Sequence, residues 1–200
     1  MIKWHDLAFY RGDKLILDSV SGQLAKGELV LLSGINGSGK TTLLNLIGGA
    51  LLPSSGTLTL NGKELQEIRI QDQAKIRSIA PQNRTFNMGF KVRELLNLQP
   101  ANRKALSTDE IIEELGVVEI LDSSILELSL GQQQKVSLAI TLIQEADFYL
   151  LDEPFSAQDA TSVRRILRLL QEVAKTKGLM VVSHNTDHLD ANFDREIKLS

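Results

Sequence analysis

Apolar and polar residues follow one another in patterns that predict strands and helices along the whole chain. The predicted strands lie at residues 2–10, 14–24, 29–32, 57–60, 76–80, 148–151 and 179–182. The predicted helices lie at residues 40–52, 92–98, 109–115, 132–145 and 163–174. Strands that alternate with amphipathic helices are typical of an α/β fold whose sheet is largely parallel.

Composition agrees with one globular domain. The chain has 200 residues, of which 42% are hydrophobic and 24% charged, and this is enough apolar material for a buried core. The formal net charge of -3 creates no basic field, so no nucleic-acid partner is expected. Cysteine is absent, which excludes disulfides and thiolate metal sites and is compatible with a reducing compartment.

Membrane-directed segments are not expected from the pattern. The first residues lack the charged-then-apolar order of a signal peptide. The richest apolar stretch, residues 43–52, contains Asn45 and has about half of the ~20 residues that a bilayer-spanning helix needs. We therefore expect no part of this sequence to cross a membrane unaided.

The loop between the third strand and the first helix matches a phosphate-binding pattern. Its residues are Gly34, Ile35, Asn36, Gly37, Ser38, Gly39, Lys40 and Thr41, and we include the following Thr42 in the predicted nucleotide site. Glycines allow backbone N–H groups to face phosphates, and the helix N-terminus adds partial positive charge. Lys40 would reach the β and γ phosphates and Thr41 would offer its hydroxyl to Mg²⁺. The loop predicts binding of ATP with Mg²⁺; a plain glycine-rich turn is the structural alternative.

Two carboxylates follow the apolar run at residues 148–151. Asp152 and Glu153 would lie at the carboxyl end of a buried strand, where open α/β sheets bind ligands. We expect Asp152 to hold hydrated Mg²⁺ and Glu153 to polarise the attacking water as a general base. The alternative is an ordinary solvated strand end.

A further motif completes a family resemblance. Leu128-Ser129-Leu130-Gly131-Gln132 resembles the signature sequence of ATP-binding cassette (ABC) proteins, and the chain resembles the nucleotide-binding subunit of ABC transporters over nearly its whole length. The resemblance implies that Ser129, Gly131 and Gln132 cap the γ-phosphate bound on an opposite subunit. Ser129 is also an ordinary N-cap residue, and both interpretations can hold at once.

The resemblance assigns roles to four more residues. Gln82 resembles the Q-loop glutamine, which touches Mg²⁺ and water and moves with the membrane partner. His184 resembles the switch histidine that contacts the γ-phosphate, and Asp159 the D-loop aspartate that couples the two sites, although Asp159 could simply cap a helix. Tyr10 resembles the aromatic residue that stacks on adenine, with Phe9 as the competing candidate and core packing as the alternative.

The fold implied by the resemblance is of the ABC ATPase type. It has a P-loop NTPase core with a largely parallel sheet, an N-terminal antiparallel β subdomain and an inserted helical subdomain. Residues 1–200 would form a single domain, with about 1–85 and 147–200 in the catalytic core and β subdomain and about 86–146 in the helical subdomain. The chain would hydrolyse ATP as a homodimer or heterodimer with a second ATPase subunit, on the cytoplasmic face of the membrane, bound through a permease.

This sequence departs from the family pattern at two positions. Leu130 stands where glycine is usual in the signature, and Gln158 stands where leucine is usual in the D-loop. A Cβ restricts close approach and positive φ, so Leu130 could weaken capping of the opposite site and make the dimer asymmetric. Residues 84–93 are the expected permease contact, through Phe86, Met88 and Phe90, unless these side chains cover the core instead.

Two other classes remain as alternatives. A soluble ABC ATPase could act as an ATP-driven clamp on nucleic acid or the ribosome. A small-molecule kinase could also use a phosphate-binding loop, but it would have no use for the signature at residues 128–132. In the resembled family the cargo and the direction of transport reside in the membrane partner, so this sequence does not specify them.

Overall fold

A computed structural model describes residues 1–82, 84–98, 107–184 and 192–199. The strands are β1 (Ile2–Arg11), β2 (Lys14–Leu24), β3 (Glu28–Gly34), β4 (Ser55–Leu60), β5 (Lys63–Glu64), β6 (Arg77–Ala80), β7 (Phe148–Asp152), β8 (Gly178–Val182) and β9 (Arg195–Leu199). The helices are α1 (Lys40–Gly48), α2 (Ile70–Ile76), α3 (Val92–Asn97), α4 (Thr108–Glu114), α5 (Leu130–Ile143) and α6 (Ala160–Ala174). Short 3-10 turns lie at Leu65–Glu67, Val118–Ile120 and Ile125–Glu127.

The amino-terminal sheet is antiparallel and has the order β2-β1-β4-β5. In β1, Ile2 and Trp4 are buried while Lys3 and His5 are exposed, as the period-two pattern predicts for a sheet with one solvated face. A register shift follows His5, where Asp6 has a positive φ, and it turns the buried face to Leu7.

The second sheet is parallel throughout and has the order β6-β7-β8-β3-β9. All residues of β7 and β8 are buried, which explains why both strands are continuous apolar runs. Alternate residues pack on opposite faces: Leu150 lies in one core cluster with α1, and Leu151 lies in another with α5 and α6. The predicted α/β fold with a largely parallel sheet is confirmed.

A helical segment connects β6 to β7. Helices α3 and α4 pack against α5, whose carboxyl-terminal part, residues 136–143, is buried. The fold therefore contains the helical insertion that the family resemblance implies. Within the described residues, no helix has the length and apolar character needed to span a bilayer.

Three elements were missing from the sequence-based prediction: helix α2, strand β9 and strand β5, which has only two residues. Helix α2 buries none of its residues, so no apolar periodicity marks it. Strand β9 alternates exposed and half-buried positions and buries only Leu199. Helix α1 also ends earlier than expected, at Gly48, because Gly49 adopts a left-handed φ of 74° and its N–H bonds back to the helix.

A buried arginine fixes the end of α1 to the strand beside it. Arg77, the first residue of β6, donates from Nε to the Gly48 carbonyl (2.8 Å) and from Nη2 to Gln73 Oε1 (2.7 Å). Burial lowers the pKa of Arg77 to about 10, and the guanidinium remains a cation at neutral pH, placed at the negative end of the helix dipole. A Cβ at Gly49 would lie 1.9 Å from Nη2, so the glycine allows this close approach.

This contact predicts a stability difference between two glycines. Gly49→Ala and Gly62→Ala both place alanine at a positive φ, but the space around Gly62 is open within 4 Å, whereas Gly49 faces Arg77. Each change should cost about 1–2 kcal/mol for the left-handed backbone. Gly49→Ala should cost at least about 1 kcal/mol more, because Arg77 must move away from its acceptors. Urea unfolding measures both, and equal losses would contradict a role for the Arg77 contact.

Candidate functional site

The loop from Gly34 to Lys40 wraps around the ammonium group of its own lysine. Lys40 Nζ donates to the carbonyls of Gly34 (2.7 Å) and Ile35 (3.0 Å), and the residue is buried. The Ser38 N–H closes the turn by donating to the Ile35 carbonyl (3.2 Å). A buried cation therefore lies at the centre of a ring of backbone, as recognition of a phosphate group requires.

The start of α1 is built to accept an anion. Gly39 is the N-cap residue, with φ 92°, and neither a side-chain cap nor an acidic residue in the first turn satisfies the amino-terminal N–H groups. A Cβ at Gly39 would lie 2.5 Å from Leu17 Cδ2, so glycine is required here for both conformation and space. The buried Ser38 Oγ also has no hydrogen-bond partner among the described residues. These unused donors fit the phosphate groups of a nucleotide.

Thr41 and Asp152 bring two side-chain oxygen atoms together. Thr41 Oγ1 donates to Asp152 Oδ1 (3.3 Å), which joins the loop to the end of β7. Burial raises the pKa of Asp152, outweighing the hydrogen bond from Thr41, so a cation beside this carboxylate would stabilise its charged form.

These oxygens fit Mg²⁺. This ion binds proteins through one or two carboxylates and completes its shell with phosphate and water oxygens. The described part of the chain has no group of three or more His, Cys, Asp and Glu residues that could hold a metal without such help. A metal at Thr41 and Asp152 would therefore depend on the nucleotide.

Glu153, the residue after Asp152, is hydrogen-bonded to His184. His184 Nδ1 lies 2.8 Å from Glu153 Oε1, and because an ionised carboxylate only accepts, Nδ1 is the donor. Glu153 is buried and has a φ of 53°, a left-handed conformation that is uncommon for residues other than glycine. His184 comes two residues after β8, the strand next to β7. Adjacent strands thus bring the predicted base and the predicted switch residue into contact.

Gln82 lines the same cavity as the two carboxylate residues. It follows β6 by two residues, and the cavity, of about 280 Å³, is also lined by Asp152, Glu153 and Leu130. The structure therefore brings Gln82 to the same edge of the sheet as the phosphate loop.

The signature residues lie at the start of α5. Ser129 is its N-cap: Ser129 Oγ accepts from the Gln132 N–H (3.4 Å), and Gln132 Oε1 accepts from the Ser129 N–H (2.9 Å). The N-cap alternative is therefore observed. Among the described residues, Ser129, Gly131 and Gln132 form no hydrogen bond with residues 34–41 of their own chain. Leu130 is the first helical residue and does not have a positive φ, so the restriction that a Cβ places on positive φ does not apply to it.

The two aromatic candidates at the end of β1 differ in their surroundings. Phe9 packs against the core cluster that contains α1, whereas the Tyr10 side chain is half exposed. Tyr10 is paired with Leu15 on β2, and Leu17 of that strand contacts Gly39. Tyr10 is the more exposed of the two and lies on a hairpin that touches the phosphate loop.

Asp159 is the N-cap of α6. Its carboxylate accepts from the N–H groups of Thr161 (2.8 Å) and Ser162 (3.0 Å) and from Ser162 Oγ (2.7 Å). These bonds, above all the backbone N–H of Ser162, lower the pKa of Asp159 to about 2. The predicted cap is present, and it leaves the carboxylate exposed to solvent.

Sequence reasoning missed two residues near Glu153. Ser156 Oγ donates to the Glu153 carbonyl (3.0 Å), and Gln134 Nε2 donates to Ser156 Oγ (2.7 Å). Gln134 is one of three consecutive glutamines in α5, and only the helix orientation selects it. No sequence pattern distinguishes it from its neighbours.

Comparisons with known proteins identify relatives of this chain. A family profile described as ABC transporter matches residues 17–156. The hemin import ATP-binding protein HmuV of Bordetella avium is 33% identical over 199 residues, covering 91% of this chain and 76% of that protein. The cytochrome c biogenesis ATP-binding export protein CcmA of Nitrosococcus oceani is 33% identical over 180 residues, covering 90% and 83%. A solved ATP binding subunit of an ABC transporter has a similar fold, with a TM-score of 0.85 at 24% identity, covering 99% of this chain and 85% of that one.

The Asp159 cap predicts a pH-dependent contribution to stability. Because the folded pKa is lowered to about 2 from an unfolded value of about 3.9, the ionised cap stabilises the fold above about pH 4 and loses this effect as pH falls toward about 2. Asp159→Asn keeps a neutral cap, so wild type should melt at a higher temperature near pH 6, by a margin that shrinks toward pH 3. Thermal unfolding followed by circular dichroism tests this, with Asp159→Ala as the uncapped control. A margin that is constant with pH would rule out the ionised cap.

Proposed function

The chain belongs to the ABC transporter family, and from that premise we propose how its residues bind and hydrolyse ATP. It is an ATP-binding, ATP-hydrolysing subunit that powers transport across a membrane together with a separate permease. The transport reading is favoured over an ATP-driven clamp, since the relatives are named as import or export ATP-binding proteins.

The contact between Thr41 and Asp152 is the observation that carries the assignment of the site. It joins the phosphate loop to the end of β7 and places Glu153, the next residue, at the same edge of the sheet. In this proposal residues 34–42 cradle the phosphates, Lys40 moves from the loop carbonyls to the γ-phosphate, and Tyr10 stacks on adenine. Thr41, Asp152 and Gln82 would hold Mg²⁺, which would neutralise charge on the phosphates.

Glu153 is proposed as the general base. Its carboxylate takes the proton of a water aligned with the γ-phosphate, and Gln82 helps to orient that water. His184 holds the carboxylate through Nδ1, and in this proposal its ring would face the γ-phosphate. Burial of Glu153 restricts competing water around the reacting carboxylate.

We further propose that a second subunit completes the site. Ser129, Gly131 and Gln132 do not bond to their own phosphate loop within the described residues, and their N-terminal helix position suits them to a phosphate on another chain. Asp159, exposed at the start of α6, would couple the two sites. The second subunit is either a copy of this chain or a related ATPase.

The permease would bind at the helical segment. Met88 and Phe90 are 64% and 37% exposed, and Leu126 is close to both, since Gly89 packs near Leu126 and the Ile125 N–H donates to the Phe90 carbonyl. We define these three residues, Met88, Phe90 and Leu126, as the apolar patch. Phe86 instead packs against the core cluster of α5, so only part of the expected segment is available for contact.

These roles also suggest a division of the chain. We propose a catalytic core with its β subdomain at about 1–85 and 147–200, and a helical subdomain at about 86–146, joined where β6 and β7 pair in the parallel sheet. The assembly would lie on the cytoplasmic face of the membrane, held by the permease.

Glu153→Gln tests the base. The change removes the carboxylate while keeping the side chain's shape, so ATP binding should persist while turnover falls by about 10²–10⁴-fold. The variant should also accumulate an ATP-dependent dimer, because hydrolysis no longer opens it. Phosphate release, binding of a fluorescent nucleotide and size-exclusion chromatography measure these three effects. Glu113→Gln, at an exposed site on α4, is the matched control; turnover near the wild-type rate in Glu153→Gln would remove Glu153 from the mechanism.

The double change Met88→Ser and Phe90→Ser tests the apolar patch. It should abolish association with the membrane partner while ATP hydrolysis by the isolated subunit continues, because neither residue lies at the phosphate loop. Copurification from solubilised membranes provides the measurement. Leu52→Ser with Ile70→Ser is the matched control, since these residues are 68% and 83% exposed outside the helical segment. Association that survives the patch change would refute the docking surface.

A further inference from the structure

A chain of side-chain hydrogen bonds runs from the start of α5 to the backbone of Glu153. Gln158 Nε2 donates to the Gly131 carbonyl (3.0 Å) and to Gln134 Oε1 (3.4 Å). Gln134 Nε2 donates to Ser156 Oγ (2.7 Å), which in turn donates to the Glu153 carbonyl (3.0 Å). We call Gln158, Gln134 and Ser156 the amide relay. It links the helix that carries the signature to the residue proposed as the general base.

Close backbone packing holds the two ends of the relay together. A Cβ at Gly131 would lie 2.7 Å from the Ala157 carbonyl oxygen, so the loop after β7 rests directly on the first turn of α5. Ala157 adopts a left-handed φ of 58°, which turns the loop toward that helix. Gly131 therefore has a packing role within its own chain, and displacement of the helix start must displace the loop.

The chemistry of the relay gives it a fixed direction. The Gly131 carbonyl can only accept, so Gln158 must present its amide NH₂ to it. Gln134 then accepts with its oxygen and donates with its nitrogen to Ser156 Oγ. The Ser156 hydroxyl in turn donates a hydrogen bond to the Glu153 carbonyl. The three side chains are half-buried, which limits exchange of these bonds with water. Leucine, which is usual at position 158 in the resembled family, could make none of these bonds.

The relay ends where the backbone is under strain. Glu153 has its left-handed φ of 53°, a conformation that persists only where the surroundings enforce it. Ser156 bonds to the Glu153 carbonyl twice, through its N–H (3.2 Å) and its hydroxyl (3.0 Å). A change in the relay would thus alter the orientation of the peptide that sets the direction of the Glu153 side chain.

We propose that Gln158, Gln134 and Ser156 are positioning residues that make the geometry of Glu153 depend on the position of the start of α5. The proposal rests on the assignment of Glu153 as the general base. In this chain, movement of the signature end of α5 reaches the base through its own subunit, in addition to any contact across a dimer.

Steady-state ATP hydrolysis by the purified chain tests the relay. Gln158→Leu should lower kcat about tenfold while KM for ATP stays within about twofold, because positioning of the base affects the chemical step rather than nucleotide binding. Ser156→Ala should do the same, and the double variant should lose little more than either single one, since all break one chain of bonds. Gln171→Leu is the matched control: Gln171, on α6, donates to the Asn192 carbonyl, outside the relay.

Three results would overturn the proposal. These are wild-type kcat in Gln158→Leu, an equal loss in Gln171→Leu, or losses that multiply in the double variant. Should Gln158→Leu fail to fold, Gln158→Glu keeps the side chain's shape. Its carboxylate cannot donate to the Gly131 carbonyl or to Gln134 Oε1, so the kcat of this variant should also fall. Glu153→Gln is assayed in parallel, and retained turnover in that variant would reject both the base assignment and the relay. If Glu153→Gln loses turnover but the kcat losses of Gln158→Leu and Ser156→Ala multiply in the double variant, the relay alone is rejected.

Discussion

Parallel pairing of four neighbouring strands is the constraint on which the site depends. Strands β6, β7, β8 and β3 lie side by side and in the same direction, so their carboxyl ends meet at one edge of the sheet. Gln82 follows β6, and His184 follows β8. Asp152 ends β7 and Glu153 comes directly after it, while the phosphate loop follows β3. The register pairs Asp152 with Val182 and Val182 with Leu32, which brings distant parts of the sequence within hydrogen-bond range.

The same arrangement places charged groups where water is limited, and each is compensated locally. Lys40 is surrounded by loop carbonyls, Asp152 accepts from Thr41, and Glu153 accepts from His184. These partners are weaker than phosphate or a divalent cation would be, because carbonyls and hydroxyls carry only partial charges. The raised pKa of buried Asp152 expresses this imbalance. In the proposed site these groups are already in place, and the phosphates of a nucleotide and a divalent cation would compensate their charges more strongly than the present partners do.

The sequence predicted those elements whose position in the fold imposes a recognisable composition. Continuous apolar runs located β3, β7 and β8, because burial on both faces imposes an apolar composition. The glycine spacing from Gly34 to Thr41 located the loop between β3 and α1, and phosphate binding by that loop stays a prediction. Helix α2 and strand β9 were not predicted because neither carries a strong apolar periodicity. Side-chain partners such as Gln134 and Ser156 could not be foreseen, since they depend on how α5 is rotated against the loop after β7.

Helix α5 is held differently at its two ends, and this difference bears on the proposed coupling to Glu153. Near its carboxyl end, Ser78 Oγ of β6 donates to Gln144 Oε1 (2.6 Å), and the buried residues 136–143 pack in the core. Its amino end is less buried and meets the loop after β7 through polar amides. Buried packing has few alternative arrangements, whereas the amino end, residues 130–135, is less buried and is held less firmly by packing. Movement of α5 should therefore pivot about β6, and the displacement should be largest beside Glu153.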